Sequence, residues 1–381
     1  MQEGAMNAKL FPLLVTLFFF AALFGCDQDN TKPIKVGYLG TMTGAESSLG
    51  QGGYEGALLA VEQVNTLGGI DGKEVELVIR DDRQNQTFAQ TAIEELIAEG
   101  VVGIIGPMTS HVAAAVCGTT DQAHIPILSP TAATHTLSNR DDYFLRIYPT
   151  TDEASIKMAH FARHDRDLRR FAVIYDLANR EFSLSWLDNF KRDFTNLGGE
   201  ITLKLPFDSN NPETSYNELA ARVRQSDAQG ILFVGGQTSA ALFSQNLTKH
   251  DIHLDTFLTE WSYGPVLQQQ GGRLVEEMMV FKTYSGSSEN QKLNRFIADY
   301  EARFDRDPWF AAAHSYDATR LMLKALKSVR SPAELKQAIL GNGPFDGVET
   351  SFNLDRNGEV QRPHYISRFR NGSEEVLALL D

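Results

Sequence analysis

Short apolar, β-branched runs alternate with stretches of helical periodicity, and this alternation restricts the fold more than any other feature of the sequence. The runs lie at Ile34 to Leu39, Val75 to Ile79, Val101 to Ile105 and Ile125 to Leu128. Between them, Tyr54, Ala57, Leu58 and Val61 keep helical spacing, as do Ala89, Ala92, Ile93, Leu96 and Ile97. A strand, a helix and another such strand, repeated, predict a doubly wound parallel sheet with right-handed crossovers. After Pro149 the pattern restarts. Strands are predicted at Phe171 to Tyr175, Ile201 to Leu205, Ile231 to Val234 and Thr256 to Leu258. Helices are predicted through Leu187, Phe190, Phe194 and Leu197, around Leu219 to Val223, and around Ala240 to Leu247. Two α/β lobes follow from two such units. A helix carrying Leu293, Phe296, Ile297, Tyr300 and Phe304 and a longer one from Phe310 to Val329 come later.

The 381 residues suffice for a full core in each lobe. With 35 Lys+Arg against 49 Asp+Glu, the formal charge of −14 argues against nucleic acid, whose phosphates need a basic face, and against adhesion to anionic lipid. The N-terminus reads as an address. Lys9 precedes an apolar run from Leu10 to Phe24, then Gly25-Cys26, the pattern of a secretory signal peptide over residues 1–25. The run is shorter than the ~20 residues that span a bilayer, and Pro12 interrupts it. Leu23-Phe24-Gly25-Cys26 resembles the bacterial lipobox, which implies acylation of Cys26 and a lipid anchor. Asp27 resembles an inner-membrane retention signal, and residues 26–33 read as a tether. Of the two cysteines this leaves Cys117, in an Ala/Val-rich helix, as a small buried thiol.

Ligands of open α/β sheets bind beyond the carboxyl ends of the strands. Those ends here are residues 40–44, 107–110, 129–134, 176–182, 235–239 and 260–263, rich in hydroxyls and glycines with few charges. Thr109-Ser110 reads as a helix N-cap, where a hydroxyl and free N–H groups suit a ligand carboxylate, although plain capping accounts for it equally well. Glu260 beside Trp261 would suit a ligand cation, again with packing as the alternative. Enzyme motifs fail. Gly50 to Gly56 breaks the dinucleotide spacing at Glu55 and reads as a glycine-rich helix start. His160 and His164 have Phe161 where a zinc protease has Glu, so a solvated face is expected. Asp81-Asp82 reads as strand-end capping, and Asp355-Arg356-Asn357-Gly358 as a hairpin turn. No catalytic residue, cofactor or metal site is predicted.

The stretch Ile34 to Gly37 through Thr43-Gly44, then Gly56-Ala57, Asn65, Gly68-Gly69-Ile70 and Gly72, resembles the leucine/isoleucine/valine-binding protein family. The likeness continues through Asp81-Asp82, Ile105-Gly106, Ser110, Ile127 to Pro130, Phe144-Leu145-Arg146, Pro149 and Phe352 to Gly358. It implies a type I periplasmic binding protein: two lobes joined by a three-crossover hinge, closing on a solute for an ABC permease. The implied lobes are 34–149 with 283–360, and 150–282 with 361–381. Carried over, Ser110 holds the ligand α-carboxylate, Thr131 gives backbone contacts, and Glu260 meets the α-ammonium, beside Trp261. Ala133 stands where a Thr hydroxyl is expected, with Thr131 or Thr134 as substitutes. Leu49 stands for a Tyr or Trp, Phe182 for a Tyr after a two-residue insertion, and Gln237 for another Tyr. These departures move the chain away from the branched-chain pattern, while Ser110 with Glu260 still implies a zwitterion. The resemblance thus implies a monomeric, periplasmic, lipid-anchored receptor for an amino acid or similar solute. A sensory lobe for amides, urea or aromatic acids is the alternative, and a periplasmic α/β enzyme a weaker one.

Overall fold

Five parallel strands form the first sheet, and all but the edge strand at Val75 to Asp81 are largely buried. A computed structural model describes residues 32–286, 290–329, 332–371 and 373–380, so the predicted signal peptide, Cys26 and Asp27 lie outside the described residues. The first strand, β1 (Ile34–Gly40), lies between β2 (Val75–Asp81) and β3 (Ile104–Ile105). β4 (Ile127–Ser129) and β5 (Phe144–Arg146) complete the order β2-β1-β3-β4-β5. The run predicted from Val101 pairs only over Ile104 and Ile105. Helices α1 (Ser48–Thr66), α2 (Gln86–Ala98) and α3 (Ser110–Ala123) cross between these strands. The glycine-rich segment is the start of α1, as its spacing predicts. A Cβ at Gly56 would lie 2.1 Å from Ala312 O, so glycine lets α1 seat directly on α10 (Phe310–Leu326).

The second sheet repeats the plan. After α4 (Thr151–His160), β6 (Arg170–Asp176) pairs in parallel with β7 (Glu200–Phe207) and β8 (Gly230–Val234). β9 (Asp255–Thr259) and β10 (Met279–Lys282) extend it in parallel. Thus β7-β6-β8-β9-β10 copies the order of the first sheet. Two further strands, β13 (His364–Arg370) and β14 (Ser373–Leu380), add on antiparallel, beyond the purely parallel expectation. A short hairpin, β11 (Phe345–Asp346) with β12 (Ser351–Phe352), precedes them. On this sheet Phe171 meets Phe190 and Phe194 at 5.2 and 5.0 Å. Each such full burial contributes about 1.5–3 kcal/mol. Both aromatic partners sit on α5 (Arg180–Asn196); α6 (Tyr216–Arg224) and α7 (Gln237–Lys249) cover the sheet elsewhere.

The chain passes between the two halves three times: after Arg146, after Lys282 and before His364. In both sheets the strand order reverses between the first and third strands, so each half presents its switch point to the other. Smaller expectations hold as well. Asp81 and Asp82 accept from Thr43 and Thr41 hydroxyls, both at 2.6 Å. The Asp355–Gly358 turn closes with Gly358 N–H donating to Asp355 O at 3.0 Å. His160 and His164 are exposed, as a solvated face requires. Cys117 is buried and free, and burial pushes its thiol up.

Candidate functional site

At the switch point of the first sheet, α3 begins with Thr109 as an extended N-cap whose side chain makes no capping bond. Ser110, the first helical residue, turns its Oγ across to the next strand end. There it accepts from Ala133 N at 3.0 Å and Thr134 N at 3.2 Å. Its own hydroxyl proton remains available to a ligand oxygen. Thr131 Oγ1 donates to Met108 O at 2.5 Å, and Thr134 Oγ1 accepts from Thr136 N at 3.3 Å. Both hydroxyls, expected to stand in for the one missing at Ala133, thus also have backbone partners. What this corner offers is one serine hydroxyl at a helix start, where the local field favours an anion.

Glu260 sits at the end of β9, fully buried. Its Oε2 accepts from Tyr148 Oη at 2.6 Å, from Thr283 N at 2.9 Å and from Thr283 Oγ1 at 2.8 Å. Oε1 accepts from Tyr284 N at 3.1 Å. Since Thr283 donates here, it accepts from His314 Nε2 at 2.9 Å, which places a proton on that nitrogen. Burial pushes the Glu260 carboxyl up to about 7, opposed by these donors and by nearby Lys282. Each bond to the ionised group contributes about 1.5–3 kcal/mol and offsets part of the desolvation cost. The acidic residue read as an ammonium contact thus has four protein donors, drawn from two of the hinge crossovers. Lys282, also fully buried, turns its ammonium to Ser285 O at 3.1 Å, to Glu374 and over the Tyr263 ring.

Tyr148 divides the cleft into two small cavities of about 10 and 20 Å³, each close to the size of one water. Leu49, Met108, Thr131, Asn179, Trp261 and Phe310 line the outer one. Trp186, Glu260, Phe281, Lys282, His364 and Ala133 border the inner one. Phe182 borders both and meets Trp261 edge-on at 5.8 Å. The walls combine aromatic and apolar side chains with polar ones: Thr150, Thr151, Glu260, Lys282 and His364 in the inner cavity, Thr131 and Asn179 in the outer. A larger cavity of about 710 Å³ lies to one side, between the start of α1, Trp309 and the Tyr263–Val266 turn. Tyr263, past the end of β9, and Tyr284 and Ser285, past the end of β10, border it from the second lobe.

The lobes are closed on one another. Asn179 Oδ1, from the second sheet, accepts from His111 N at 3.1 Å and so caps α3. His135 Nδ1 lies 2.6 Å from Ser185 Oγ. In the opposite direction, Glu46 from the first half caps α7: its Oε1 accepts from Ser239 N at 3.2 Å and Ser239 Oγ at 2.7 Å. Tyr216 donates to that serine hydroxyl at 2.7 Å, completing a relay. The carboxylate needs Gly236, because a Cβ there would fall 1.9 Å from Glu46 Oε2. Gln237 borders neither cleft cavity. Its Nε2 donates to Ser48 Oγ at 3.3 Å and its Oε1 accepts from Val266 N at 2.9 Å, so it bridges the lobes in place of the expected ligand contact.

Of the expected set, Leu49, Thr131, Ala133, Phe182, Glu260 and Trp261 converge on the cleft cavities. Ser110 reaches them through Ala133, and Thr134 stands behind it. Tyr148, Asn179, Trp186 and His364 line the same space and are absent from the expected set. For Tyr148 the signal was present in the sequence, one residue before Pro149 in the first crossover.

Two copies of one strand order, linked by three crossings and closing on an aromatic cleft, define a two-lobed solute-binding protein. Residues 33–374 match the periplasmic binding protein family, and the chain belongs to that family of non-enzymatic ABC-transporter solute-binding proteins. The chain is 26% identical over 249 residues to Leu/Ile/Val-binding protein homolog 3 of Brucella melitensis, covering 65% of this chain and 64% of that protein. Leu/Ile/Val-binding protein homolog 1 of Brucella abortus is 22% identical over 85% of this chain and 87% of its own. Among solved structures, a leucine-binding protein from Thermotoga maritima superposes with a TM-score of 0.84 at 23% identity, covering 91% of this chain and 99% of that one. A solute-binding protein from R. palustris in complex with benzoate gives 0.83 at 18% identity, covering 91% and 96%. These likenesses fix the type I periplasmic binding fold.

Proposed function

We propose that this protein captures a small carboxylic acid with an aromatic or otherwise apolar body and delivers it to an ABC permease. Capture takes place in the periplasm, where an acyl group on Cys26 holds the receptor near its permease; that anchor rests on the sequence alone. The observation that carries the ligand class is the pairing of one free serine hydroxyl at the α3 start with an aromatic cleft whose buried carboxylate is already bonded. The carboxylate of the ligand accepts from Ser110 and its body lies against Tyr148, Phe182 and Trp261. Lobe closure then places contacts from both halves on one molecule and shifts the open–closed population by the difference in affinity. Benzoate bound to the R. palustris protein supports an aromatic acid.

A second reading, an α-amino acid, is supported by Glu260 itself and by the relatives named for leucine, isoleucine and valine. The ammonium would then have to enter beside Tyr284 N on Oε1 or replace Tyr148 Oη on Oε2. That exchange gives up a charge-assisted bond of about 1.5–3 kcal/mol before any gain. Titration calorimetry with benzoate and with leucine separates the two. Benzoate is expected to bind at least about tenfold more tightly, the lower end of that exchange. Leucine binding more tightly than benzoate establishes the second reading, and no heat from either sinks both.

A further inference from the structure

We propose that His364 is a specificity contact at the hinge end of the cleft, hydrogen-bonding a hydroxyl that the ligand carries away from its carboxylate. The inference rests on the reading above, in which an aromatic acid lies between the lobes. His364 begins β13, directly after Pro363, where the third crossing enters the second sheet. Its side chain is 1% exposed, and neither ring nitrogen has a hydrogen-bond partner among the described residues. An unmet buried polar group costs about 1–3 kcal/mol, and an imidazole with both nitrogens unmet costs more. An apolar residue would fill the same space without that cost, so the position calls for something that arrives to meet it.

The ring is held for such a role. It lies 5.4 Å from the Phe281 ring at 39°, which fixes its plane. It borders the inner cleft cavity together with Tyr148, Phe182, Trp186 and Glu260. Ala133 borders that cavity too, and the Ala133 N–H binds Ser110 Oγ. Through that bond Ala133 links the carboxylate corner to the space that the imidazole borders. Burial, helped by the charge on Lys157, pushes the imidazolium down to about 3, so the ring is neutral. A neutral imidazole offers one N–H and one lone pair, which a hydroxyl complements in either direction. Sites built to bond a hydroxyl discriminate strongly against the analogue that lacks it, because the protein group is then left unpaired.

The test is a calorimetric comparison of benzoate, 3-hydroxybenzoate and 4-hydroxybenzoate on the wild type, His364→Phe and His364→Gln. At least one hydroxybenzoate is expected to bind the wild type about tenfold or more tightly than benzoate, the effect of one buried bond. His364→Phe is expected to cancel that preference, whatever it does to benzoate affinity itself, and His364→Gln to keep part of it. Equal binding of all three acids by the wild type overturns the inference even if His364→Phe does not fold. It would mean that the imidazole is satisfied by water alone. So would a preference that survives in His364→Phe. Absence of binding by any of the three acids refutes the aromatic-acid reading and this inference with it, whereas benzoate binding without hydroxyl preference refutes only the role of His364.

Discussion

Two helix starts face the cleft from opposite lobes, and they are capped in different ways. α7 receives a carboxylate of the protein itself, Glu46, on Ser239 N and Oγ. α3 receives only a neutral amide oxygen, from Asn179, on His111 N. Both starts lie at switch points, where the rule for open sheets places ligands. A helix start favours an anion by about 0.3–1 kcal/mol when exposed and up to ~2 kcal/mol when partly buried. At α7 that preference is already used by the chain to hold the lobes together. At α3 it remains for a solute. One end works as a latch and the other as a receptor, and strand order alone does not distinguish them.

The sharpest way to break this comparison is Gly236→Ala. The residue has extended backbone (φ −78°, ψ 177°), so alanine leaves the second lobe unstrained, yet its Cβ takes the place of Glu46 Oε2. Losing a buried, bonded carboxylate contact of about 3 kcal/mol is expected to weaken benzoate binding about 100-fold. Small-angle scattering should show the closed fraction falling in step, with melting temperature nearly unchanged. Unchanged affinity would remove the latch. Ser110→Ala, at the other helix start, strips the Ala133 and Thr134 N–H groups of their acceptor and the ligand of a donor. About 2 kcal/mol, or roughly 30-fold, is expected from calorimetry, with closure by the empty protein preserved.

The smallest effect separates the two ends by pH. Burial, with Asp176 nearby, pushes Glu46 up to about 7, against the lowering bonds from Ser239 and Thr238. Tyr216 and Asp176, the other titrating groups at the latch, are themselves raised, to about 12 and about 6. A carboxyl whose value rises from the ordinary 4.5 on closing takes up a proton, so closure is favoured at low pH and loses that help as pH rises through about 7. Benzoate affinity is expected to fall about tenfold between pH 6 and pH 8. Glu46→Gln should flatten that part of the profile; an unaltered slope would assign the effect to Glu260 or Asp176 instead.

Local pattern carried the architecture. Strands such as Gly230–Val234 are buried along their whole length and read as apolar runs, and α1 was legible from Tyr54, Ala57 and Val61 despite four glycines. β13 and β14 were not legible, since His364-Tyr365-Ile366-Ser367-Arg368 mixes polar and apolar residues in an antiparallel pair near the sheet edge. In the site, Ser110 was marked by its N-cap context. Its hydroxyl's two backbone partners, 23 and 24 positions away, were not. Contacts made across the lobes carry no local signature at all. Glu46 and Ser239 are separated by 193 positions, Tyr148 and Glu260 by 112. Gln237 was placed by alignment at a ligand position, but one helix turn of sequence cannot say that its amide reaches Ser48 in the other lobe.

The four donors on Glu260 also have a mechanical meaning. Tyr148 belongs to the first crossing, Thr283 and Tyr284 to the second, and Glu260 itself to a loop of the second lobe. One carboxylate therefore rivets two of the three linking strands to each other and to the body they swing against. Linking strands fastened in this way flex together, so the lobes have a single axis to turn about and little freedom to twist or slide. A permease facing this receptor would meet one reproducible closed outline whichever solute is inside. The rim that it reads is thereby uncoupled from the chemistry of the cargo.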